Sequence, residues 1–280
     1  MPTKREQALA LLAAQRELAC PKCGAPLSVI GQGLGCDAGH RYDVSRQGTA
    51  HLVFGAAHGG VYDRELFLAR RQVLERGLFA PALEVVAQAL GQAQGLIVDA
   101  GCGEGWAMEQ LLARMPGARL LGLDLAGEGV RMAGARIGGR ALLAVADLAR
   151  MPLLERSVGG ILNFLSPANY GEFGRVLAPG GVAVKVVPGP EHLIELRRAA
   201  GLADREEGSQ AEAGFVQHFA NAQRQRVARR VAFTPADAPA LAAMSPLAAH
   251  RRAALAEALA TQSAPTVTAD LVVLWGRAGA

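Results

Sequence analysis

Three cysteines and a histidine lie close together near the amino terminus, at Cys20, Cys23, Cys36 and His40, in the pattern C-x2-C-x12-C-x3-H. Thiolates and a neutral imidazole are the ligands of tetrahedral structural zinc sites, and each tight spacing lets one pair converge on the ion. APLSVI and RYDVS, on either side of Cys36, predict short strands separated by glycine-containing turns. The pattern predicts a zinc-binding ribbon over residues 20–53.

A thioredoxin-like redox pair is an alternative interpretation of Cys20 and Cys23, as is an isolated pair in a loop. A redox pair should open a helix after a strand, but Pro21 lies inside this pair and a second Cys/His pair follows. Zinc is therefore favoured. Because so small a ribbon buries little apolar surface, the metal must supply most of its stability.

A glycine-rich segment, VDAGCGEGW, follows an apolar stretch and indicates a second kind of chemistry. Gly101, Gly103 and Gly105 predict a turn whose backbone N–H groups approach a ligand closely. Asp99 and Glu104 would repel a dinucleotide pyrophosphate, but they suit the ammonium and sulfonium groups of S-adenosylmethionine. The charge pattern thus favours a methyl-donor site over a nicotinamide site or a degenerate scaffold.

Further acidic residues lie where two later strands are predicted to end. Asp124 with Leu125 is placed to bind the ribose hydroxyl groups, and Asp147 with Leu148 is placed beside the adenine. The ribose role is shared with dinucleotide-binding folds and does not discriminate between the two cofactors. An acid at the end of three successive strands, more than the glycines alone, predicts the S-adenosylmethionine site.

The elements that must position these residues alternate between apolar runs and helical segments from residue 95 onwards. GLIVDAG, ARLLGLDL, ALLAVADL and GGILNFLS are apolar on both faces, which is typical of buried parallel strands. RVARRVAF and DLVVLW predict an antiparallel pair. The predicted fold is α/β, a class I, Rossmann-like methyltransferase sheet over residues 95–280, with ligands at the carboxyl ends of its strands.

Two shorter regions precede this sheet. Residues 54–94 are predicted to hold a flexible linker, FGAAHGG, and then helices at YDRELFLARRQVLERGLF and PALEVVAQAL. The Arg70 and Arg71 pair in the first helix is interpreted as a solvated face. Residues 1–19 are an amino-terminal extension that is too interrupted by charges for a signal sequence.

Composition narrows the functional class. The 280 residues are 51% hydrophobic, enough for a sizeable core, and no apolar run is long enough for a membrane span. We therefore expect a cytoplasmic protein, in which a Cys-x-x-Cys pair indicates metal or redox chemistry rather than a disulfide. The net charge of +4 permits nucleic-acid binding without requiring it.

Several longer motifs resemble those of a known family. The CPxC ribbon, LARRQVLERGLFAPAL, VDAGCGEGW, LAPGGVAVKVVPGPEHLIELR and MSPLAAHR…DLVVLW together resemble the 23S ribosomal RNA (guanine-N1)-methyltransferases, which include macrolide-resistance members. The most specific parts are the ribbon, P-G-P-x-H-L-x-E-L at 188–196 and M-[ST]-P at 244–246. The resemblance runs from about residue 19 to the carboxyl terminus.

The resemblance implies methylation of a guanine N1 in a 23S rRNA hairpin loop that lines the peptide exit tunnel. It implies that the ribbon helps to grip RNA and that a homodimer forms one RNA cleft. Around the donor it points to Gly101, Cys102, Gly103 and Glu104. It adds His192 and the aromatic position Phe79, where relatives carry tyrosine.

The segment NFLSPAN after the fourth strand bears on the methyl acceptor. It lacks the adjacent prolines of the N-P-P-[YF] motif found in enzymes that methylate exocyclic adenine amines, which disfavours that chemistry. Asn163 is the candidate for orienting the acceptor base, although an amide cannot accept the N1 proton. The sequence offers no candidate for the general base, so donor positioning and electrostatics are expected to carry most of the rate.

RNA contacts are the least constrained prediction. Candidate phosphate ligands are the arginines of RQRVARR at 224–230, Arg251 and Arg252, and Lys22, Arg41 and Arg46 in the ribbon. The arginines at 224–230 are equally compatible with the solvated face of a strand. Aromatic residues make up 5% of the chain, so few can stack on RNA bases, and the candidates are Tyr42, Phe54, Tyr62 and Trp106.

Two other functions remain compatible with the sequence. A non-catalytic zinc- and donor-binding RNA adaptor agrees with the missing base and the unusual NFLSPAN loop. The second is a methyltransferase that acts on another RNA or on a small molecule. If the substrate were a small molecule, the zinc ribbon would have no evident purpose.

Overall fold

The computed structural model describes residues 1–53, 62–206, 208, 210–244 and 250–279. The predicted linker at 54–60, with Phe54, and positions 245–246 of the M-[ST]-P motif lie outside the described residues. The helices are α1 (Lys4–Ala13), α2 (Arg64–Leu74), α3 (Ala80–Leu90), α4 (Trp106–Arg114), α5 (Gly127–Ile137), α6 (Tyr170–Val176), α7 (Ile194–Ala199), α8 (Gln210–His218), α9 (Ala238–Ala243) and α10 (Arg252–Ala260). The strands are β1 (Ser28–Ile30), β2 (Gly33–Gly35), β3 (Arg41–Asp43), β4 (Thr49–His51), β5 (Leu96–Ala100), β6 (Arg119–Asp124), β7 (Leu142–Val145), β8 (Val158–Phe164), β9 (Leu177–Pro188), β10 (Ala220–Ala232) and β11 (Thr266–Arg277).

Most of the strands join one mixed sheet in the order β10-β11-β9-β8-β5-β6-β7-β4. The strands from β9 to β4 are parallel, whereas β11 is antiparallel to β9 and β10 is antiparallel to β11. The predicted α/β methyltransferase sheet is confirmed, and so is the antiparallel pair of RVARRVAF with DLVVLW, in which Val227 lies opposite Leu271. The sheet is not confined to residues 95–280 as predicted, because its edge strand β4 comes from the predicted ribbon segment 20–53.

The parallel strands are apolar on both faces because helices cover both faces. All five residues of β5 are buried. Leu83 of α3 and Met108 of α4 belong to one apolar cluster, and Phe173 of α6 belongs to the other. Since β5, β8 and β9 are neighbours and parallel, the loops that follow them meet at one edge of the sheet.

The ribbon is tied to this sheet by two elements. Helix α1 begins with a capping box between Thr3 and Glu6, and Lys4 Nζ donates to the carbonyl oxygen of Gly134 on α5 at 3.4 Å. Arg5 of the same helix donates to Gln32 in the ribbon at 2.6 Å. After β1, β2 and β3, the chain continues into β4, which pairs with β7 at the edge of the large sheet.

The lengths of the described helices can be compared with the length that a membrane-spanning helix needs. The longest helices in the described ranges have 11 residues, whereas a transmembrane helix needs about 20. None of the described helices is both long and apolar enough to cross a bilayer.

Candidate functional site

The four predicted zinc ligands form one cluster, with all ligand atoms within 4.8 Å of one another. The sulfur atoms of Cys23 and Cys36 are 3.7 Å apart. His40 Nδ1 lies 3.5 Å from Cys20 Sγ and 3.4 Å from Cys36 Sγ. Ligands at zinc-binding distance from a tetrahedral ion lie roughly 3.5–3.8 Å from each other, so this donor set fits zinc.

Tyr42 on β3 supports the cluster from inside the ribbon. Its side chain is buried, and its hydroxyl group lies 3.0 Å from Cys20 Sγ. Burial disfavours the Cys20 thiolate, but hydrogen bonds from Tyr42 and from backbone N–H groups lower the pKa of Cys20 to about 6. The thiolate is the form that binds zinc. The prediction that Tyr42 stacks on an RNA base is wrong, because its ring is enclosed.

The glycine-rich turn connects β5 to α4 at the carboxyl edge of the sheet. Gly101 and Gly103 have φ angles of 95° and 53°, which side chains disfavour. A Cβ atom on Gly101 would collide with Ser166 Oγ. Gly103 N donates to Asp124 Oδ2 at 2.7 Å, so the end of β6 holds the turn in place.

A cavity of about 440 Å³ opens beside this turn. It lies where β5, β8 and β9 end, and α2 forms another of its walls. Its volume is within the usual range for small-molecule sites. The predicted donor-site residues that line it are Phe79, Asp99, Gly101, Cys102, Gly103, Glu104 and His192.

Asp99 is a buried carboxyl group that lines this cavity. It is 4% exposed, and neither of its carboxylate oxygens has a hydrogen-bond partner among the described residues. Burial, together with the nearby charge of Asp124, raises the pKa of Asp99 to about 8. A buried polar group without a partner is costly unless a ligand satisfies it. The ammonium group of S-adenosylmethionine would do so, and the cavity therefore fits the donor.

Glu104, the second predicted carboxylate, is bound by the protein itself. Arg71 of α2 donates to Glu104 Oε2 through Nε at 2.7 Å and through Nη2, and it also reaches Glu109 Oε2 at 2.8 Å. Arg71 is 6% exposed and Glu104 is 3% exposed. The interpretation of Arg71 as part of a solvated face is therefore wrong. Of the two carboxylates, Asp99 is the one left for a cationic ligand.

Removing the Arg71 guanidinium should destabilise the fold, because it leaves the Glu104 charge buried without a partner. We expect Arg71→Met to lower the free energy of unfolding by about 3–5 kcal/mol, measured by urea denaturation. The double variant Arg71→Met/Glu104→Gln should recover part of this loss. Arg131→Met breaks an exposed pair with Glu128 and should cost less than about 1 kcal/mol. Equal effects of Arg71→Met and Arg131→Met would contradict the structural role of the buried pair.

Arg70 also differs from its predicted environment, because it lines the cavity. Its Nε donates to the carbonyl oxygen of Met244 at 3.1 Å, and its guanidinium carbon lies 5.8 Å from the centre of the Tyr62 ring. Burial lowers the pKa of Arg70, but a guanidinium remains charged in proteins. A guanidinium in a donor cavity suits a carboxylate. Helical spacing places Arg70 on the same face as Leu66 and Leu74, a signal that the interpretation of a solvated face does not use.

An aromatic wall lines another part of the cavity. The Phe79 ring centroid lies 5.8 Å from that of His192, 5.6 Å from that of Phe164 and 6.1 Å from that of Trp106. His192 is buried and its Nδ1 has no partner among the described residues. Burial and the charge of Arg205 lower the pKa of His192 to about 4, so its imidazole is neutral. Trp106 is buried here, which restricts any stacking by it to ligands inside the cavity.

The remaining predicted donor residues lie outside the lining of this cavity. Gly105 caps α4, and Leu125 is exposed. The carboxylates of Asp124 and Asp147 each accept a 2.8 Å hydrogen bond from a backbone N–H two residues later. Leu148 lies beside the glycine-rich turn. Contacts of these residues with ribose and adenine stay predictions.

Asn163 and Lys185 are register partners on β8 and β9. Asn163 is fully buried, and its amide donates to the carbonyl oxygens of Ala100 at 2.6 Å and Pro167 at 3.2 Å. Its own carbonyl oxygen accepts from Lys185 Nζ. With both amide hydrogens used, its position does not support the predicted role of orienting the acceptor base. Lys185, which lines the cavity, was missed, although a lysine within the apolar run VAVKVVP was a signal.

Three of the four arginines of β10 bind other parts of the chain, and the fourth, Arg229, is exposed. Arg226 forms a bidentate pair with Asp270 at 2.7 and 2.8 Å, Arg224 reaches Glu212 at 3.0 Å and Arg230 reaches Thr266 at 2.8 Å. Asp270 also accepts from the backbone N–H of Glu191 at 2.9 Å and so holds the loop that carries His192. In contrast, Lys22, Arg41 and Arg46 of the ribbon are exposed. Their contacts with RNA phosphates stay predictions.

Comparisons with known proteins agree with this architecture. Residues 97–181 match a family model described as a methyltransferase domain. The chain is 36% identical over 206 residues to the 23S rRNA (guanine(748)-N(1))-methyltransferase of Streptomyces fradiae, covering 70% of this chain and 73% of that protein. It is 34% identical over 278 residues to a Micromonospora griseorubida protein assigned to the 23S rRNA (guanine-N1)-methyltransferases, covering 90% and 94%. The YcgJ protein of Bacillus subtilis shares the fold, with a TM-score of 0.53 and 15% identity over 72% of this chain and 99% of that chain.

Proposed function

This chain belongs to the 23S rRNA (guanine-N1)-methyltransferases, and from that membership we propose that it transfers a methyl group from S-adenosylmethionine to N1 of a guanine in 23S rRNA. The proposal includes the position of that guanine, in a hairpin loop near the peptide exit tunnel. The observation that carries the proposal is the cavity in which the buried, unpaired Asp99 lies beside the glycine-rich turn.

Within this proposal, the residues around the cavity hold opposite ends of the donor's amino-acid moiety. Asp99 binds its ammonium group, Arg70 binds its carboxylate, and the turn at Gly101 and Gly103 lets the backbone approach it. Asp124 binds the ribose hydroxyl groups, and Asp147 lies beside the adenine. When bound, the donor supplies an electrophilic methyl group. The aromatic wall excludes water from the side on which the acceptor enters.

The acceptor must leave its base stack to reach such a cavity. A guanine in a hairpin loop is unpaired more easily than one in a duplex, and a base outside its stack is held by stacking on flat side chains. Phe79 and Phe164 supply such a surface at the cavity. We assign Phe164 to the acceptor base on this ground, beside Phe79, which the resemblance places at the donor.

The other parts of the chain complete the proposed assembly. Residues 20–53 act as the zinc ribbon that grips RNA, with 1–19 as an extension, 54–94 as the connection and 95–280 as the methyltransferase domain. The last ribbon residues, in β4, lie at the edge of the large sheet, so RNA held by the ribbon is held against the catalytic domain. We place the protein in the cytoplasm as a homodimer that forms one RNA cleft.

The test is methyl transfer to naked 23S rRNA prepared from cells that lack this gene. Zinc-loaded protein with radiolabelled S-adenosylmethionine should add about one methyl group per RNA, and mass spectrometry of the digested RNA should identify 1-methylguanosine in one hairpin loop. Asp99→Asn should add none. Donor binding without transfer to any RNA would favour the non-catalytic adaptor. A methyl group on an exocyclic amine would contradict the N1 assignment.

A further inference from the structure

The proposed reaction has to remove the proton that guanine carries on N1, and this inference rests on that proposed function. Among the described cavity-lining residues, Glu104 is paired with Arg71 and Asp99 is placed for the donor's ammonium group. His192 is neutral but very weakly basic, because burial and Arg205 lower its pKa to about 4. The acceptor side therefore needs another base.

Lys185 lies at the carboxyl end of β9 and lines the cavity next to Phe164 and Ser166. It is 4% exposed. Its Nζ donates to Asn163 Oδ1 at 2.5 Å and to the backbone carbonyl oxygen of Ser166. Asn163 is itself fixed by the carbonyl oxygen of Ala100 on β5, so the amine is held from two neighbouring strands.

The partners of Lys185 are compatible with an uncharged amine. A neutral amine has two N–H donors and one lone pair, whereas an ammonium has three donors. Asn163 and Ser166 take two donors, and within the described parts of the chain Lys185 forms no salt bridge with a carboxylate. Among the residues that the structure describes, none occupies the fourth position on the nitrogen.

The charged groups around the cavity do not hold Lys185 in its ammonium form. Asp99, on β5, accepts no hydrogen bond from Lys185. Glu104 is neutralised by Arg71, and Asp270 on β11 is bound by Arg226. Arg70, Arg205 and His192 also line the cavity, and the two arginines disfavour a further positive charge. Burial alone lowers the pKa of Lys185 to about 8. The neutral form is therefore available near neutral pH.

We propose that the neutral amine of Lys185 accepts the N1 proton of the target guanine as the methyl group is transferred. The N1 electron pair forms the new bond to the methyl carbon while the carbon–sulfur bond of the donor breaks and its sulfonium becomes a thioether. The Nζ lone pair takes the N1 proton, so the positive charge of the donor ends on Lys185. The ammonium then loses its proton to solvent after product release.

The first test uses the ligand-free protein. The chain has only three lysines, Lys4, Lys22 and Lys185, so selective 13C labelling resolves their side-chain NMR signals, and the signal lost in Lys185→Met identifies this residue. We expect it to titrate with a midpoint near 8. A midpoint near that of an ordinary lysine would overturn the proposal.

The second test is the single-turnover methylation rate between pH 6 and pH 9, measured with donor and RNA saturating at every pH so that the pH dependence of donor binding through Asp99 does not enter the rate. The wild-type rate should rise about tenfold per pH unit and level off near pH 8, and Lys185→Met should be about 100-fold slower without that rise. Donor and RNA dissociation constants should stay within about twofold of wild type, and added methylamine should accelerate Lys185→Ala. Lys4→Met, outside the cavity lining, should match wild type.

These results separate the proposal from the function on which it rests. If the wild type forms 1-methylguanosine and Lys185→Met keeps its rate and pH profile, Lys185 is not the proton acceptor. Slow transfer in Lys185→Met with an unchanged pH profile and no amine rescue would also overturn the role, because it would indicate a structural effect. If the wild type transfers no methyl group to 23S rRNA, the proposed function fails and the role of Lys185 fails with it.

Discussion

Replacing Asp99 by asparagine is expected to weaken donor binding by at least about 100-fold while making the ligand-free protein more stable. The loss of affinity follows because a charged, buried hydrogen-bond partner of the donor's ammonium group disappears. The gain in stability comes from the ligand-free state, in which no ammonium group pairs with the carboxyl. In the ligand-free protein the Asp99 carboxyl is buried without a partner among the described residues. The folded chain therefore disfavours the ionised form that the unfolded chain adopts, and asparagine removes this difference.

The pKa of Asp99 determines whether its contribution to folding stability rises or falls with pH. Burial and Asp124 raise the pKa of Asp99 to about 8 in the folded chain, from its ordinary value of 3.8. Between these values the unfolded chain has lost the proton and the folded chain keeps it. Stability from this group therefore falls with rising pH, by about 1.4 kcal/mol per pH unit, and is constant above pH 8. Asp99→Asn should lack this decline in urea denaturation, whereas the exposed Asp204→Asn should retain it.

Donor affinity should also depend on pH through Asp99, but it should rise with pH where stability falls. A cationic ligand favours the ionised carboxylate, so binding below pH 8 should release a proton and affinity should fall about tenfold per pH unit towards pH 6. Calorimetry in two buffers of different ionisation enthalpy measures the released proton. A variant Asp99→Asn with wild-type affinity, or proton-independent binding by the wild type, would contradict the assignment of Asp99.

Some parts of this architecture are encoded locally and were predictable. The zinc ligands lie within twenty-one residues, and their types and spacing determine which atoms can meet at one ion. Strand β5 is apolar on both faces and is followed by glycines, a local pattern that already locates the ligand-binding edge of a parallel sheet. The ribbon, the sheet and the glycine-rich turn at Gly101 follow from such local patterns.

Other parts depend on contacts between distant segments. The spacing of apolar residues in α2 identifies its buried face, but it does not show that a polar residue at the border finds a partner. Arg71 is buried because Glu104, 33 positions away, neutralises it. Tyr42 is enclosed for the same kind of reason, since its partner is a metal ligand on another part of the ribbon.

Lys185 is an intermediate case. A lysine in a strand that is otherwise apolar on both faces conflicts with the local pattern, and such conflicts tend to mark functional sites. The sequence therefore contained a signal, but the partners that explain it, Asn163 and Ser166, depend on the pairing of β9 with β8. The amide of Asn163 predicts a role at the acceptor base, and the structure shows that its carbonyl oxygen holds the lysine.

The second large effect is expected for the ribbon, where Cys23→Ser should release zinc and impair RNA methylation. Structural zinc contributes about 10–16 kcal/mol of apparent binding free energy that a small domain uses to fold. The three-residue strands β1 to β3 cannot replace it by burial. Zinc content by mass spectrometry should fall from one ion per chain to none, and transfer to 23S rRNA should drop at least about tenfold.

Donor affinity distinguishes a ribbon that grips RNA from one that supports the whole fold. None of the residues that line the cavity comes from the described segment 1–53, so the donor dissociation constant should change less than about threefold in Cys23→Ser. Cys102→Ser is the matched variant, since Cys102 lies in the glycine-rich turn and outside the metal cluster. It should keep zinc. Loss of donor binding in Cys23→Ser would mean that unfolding spreads from the ribbon through β4 into β7, and the ribbon would then be part of the catalytic domain's own stability.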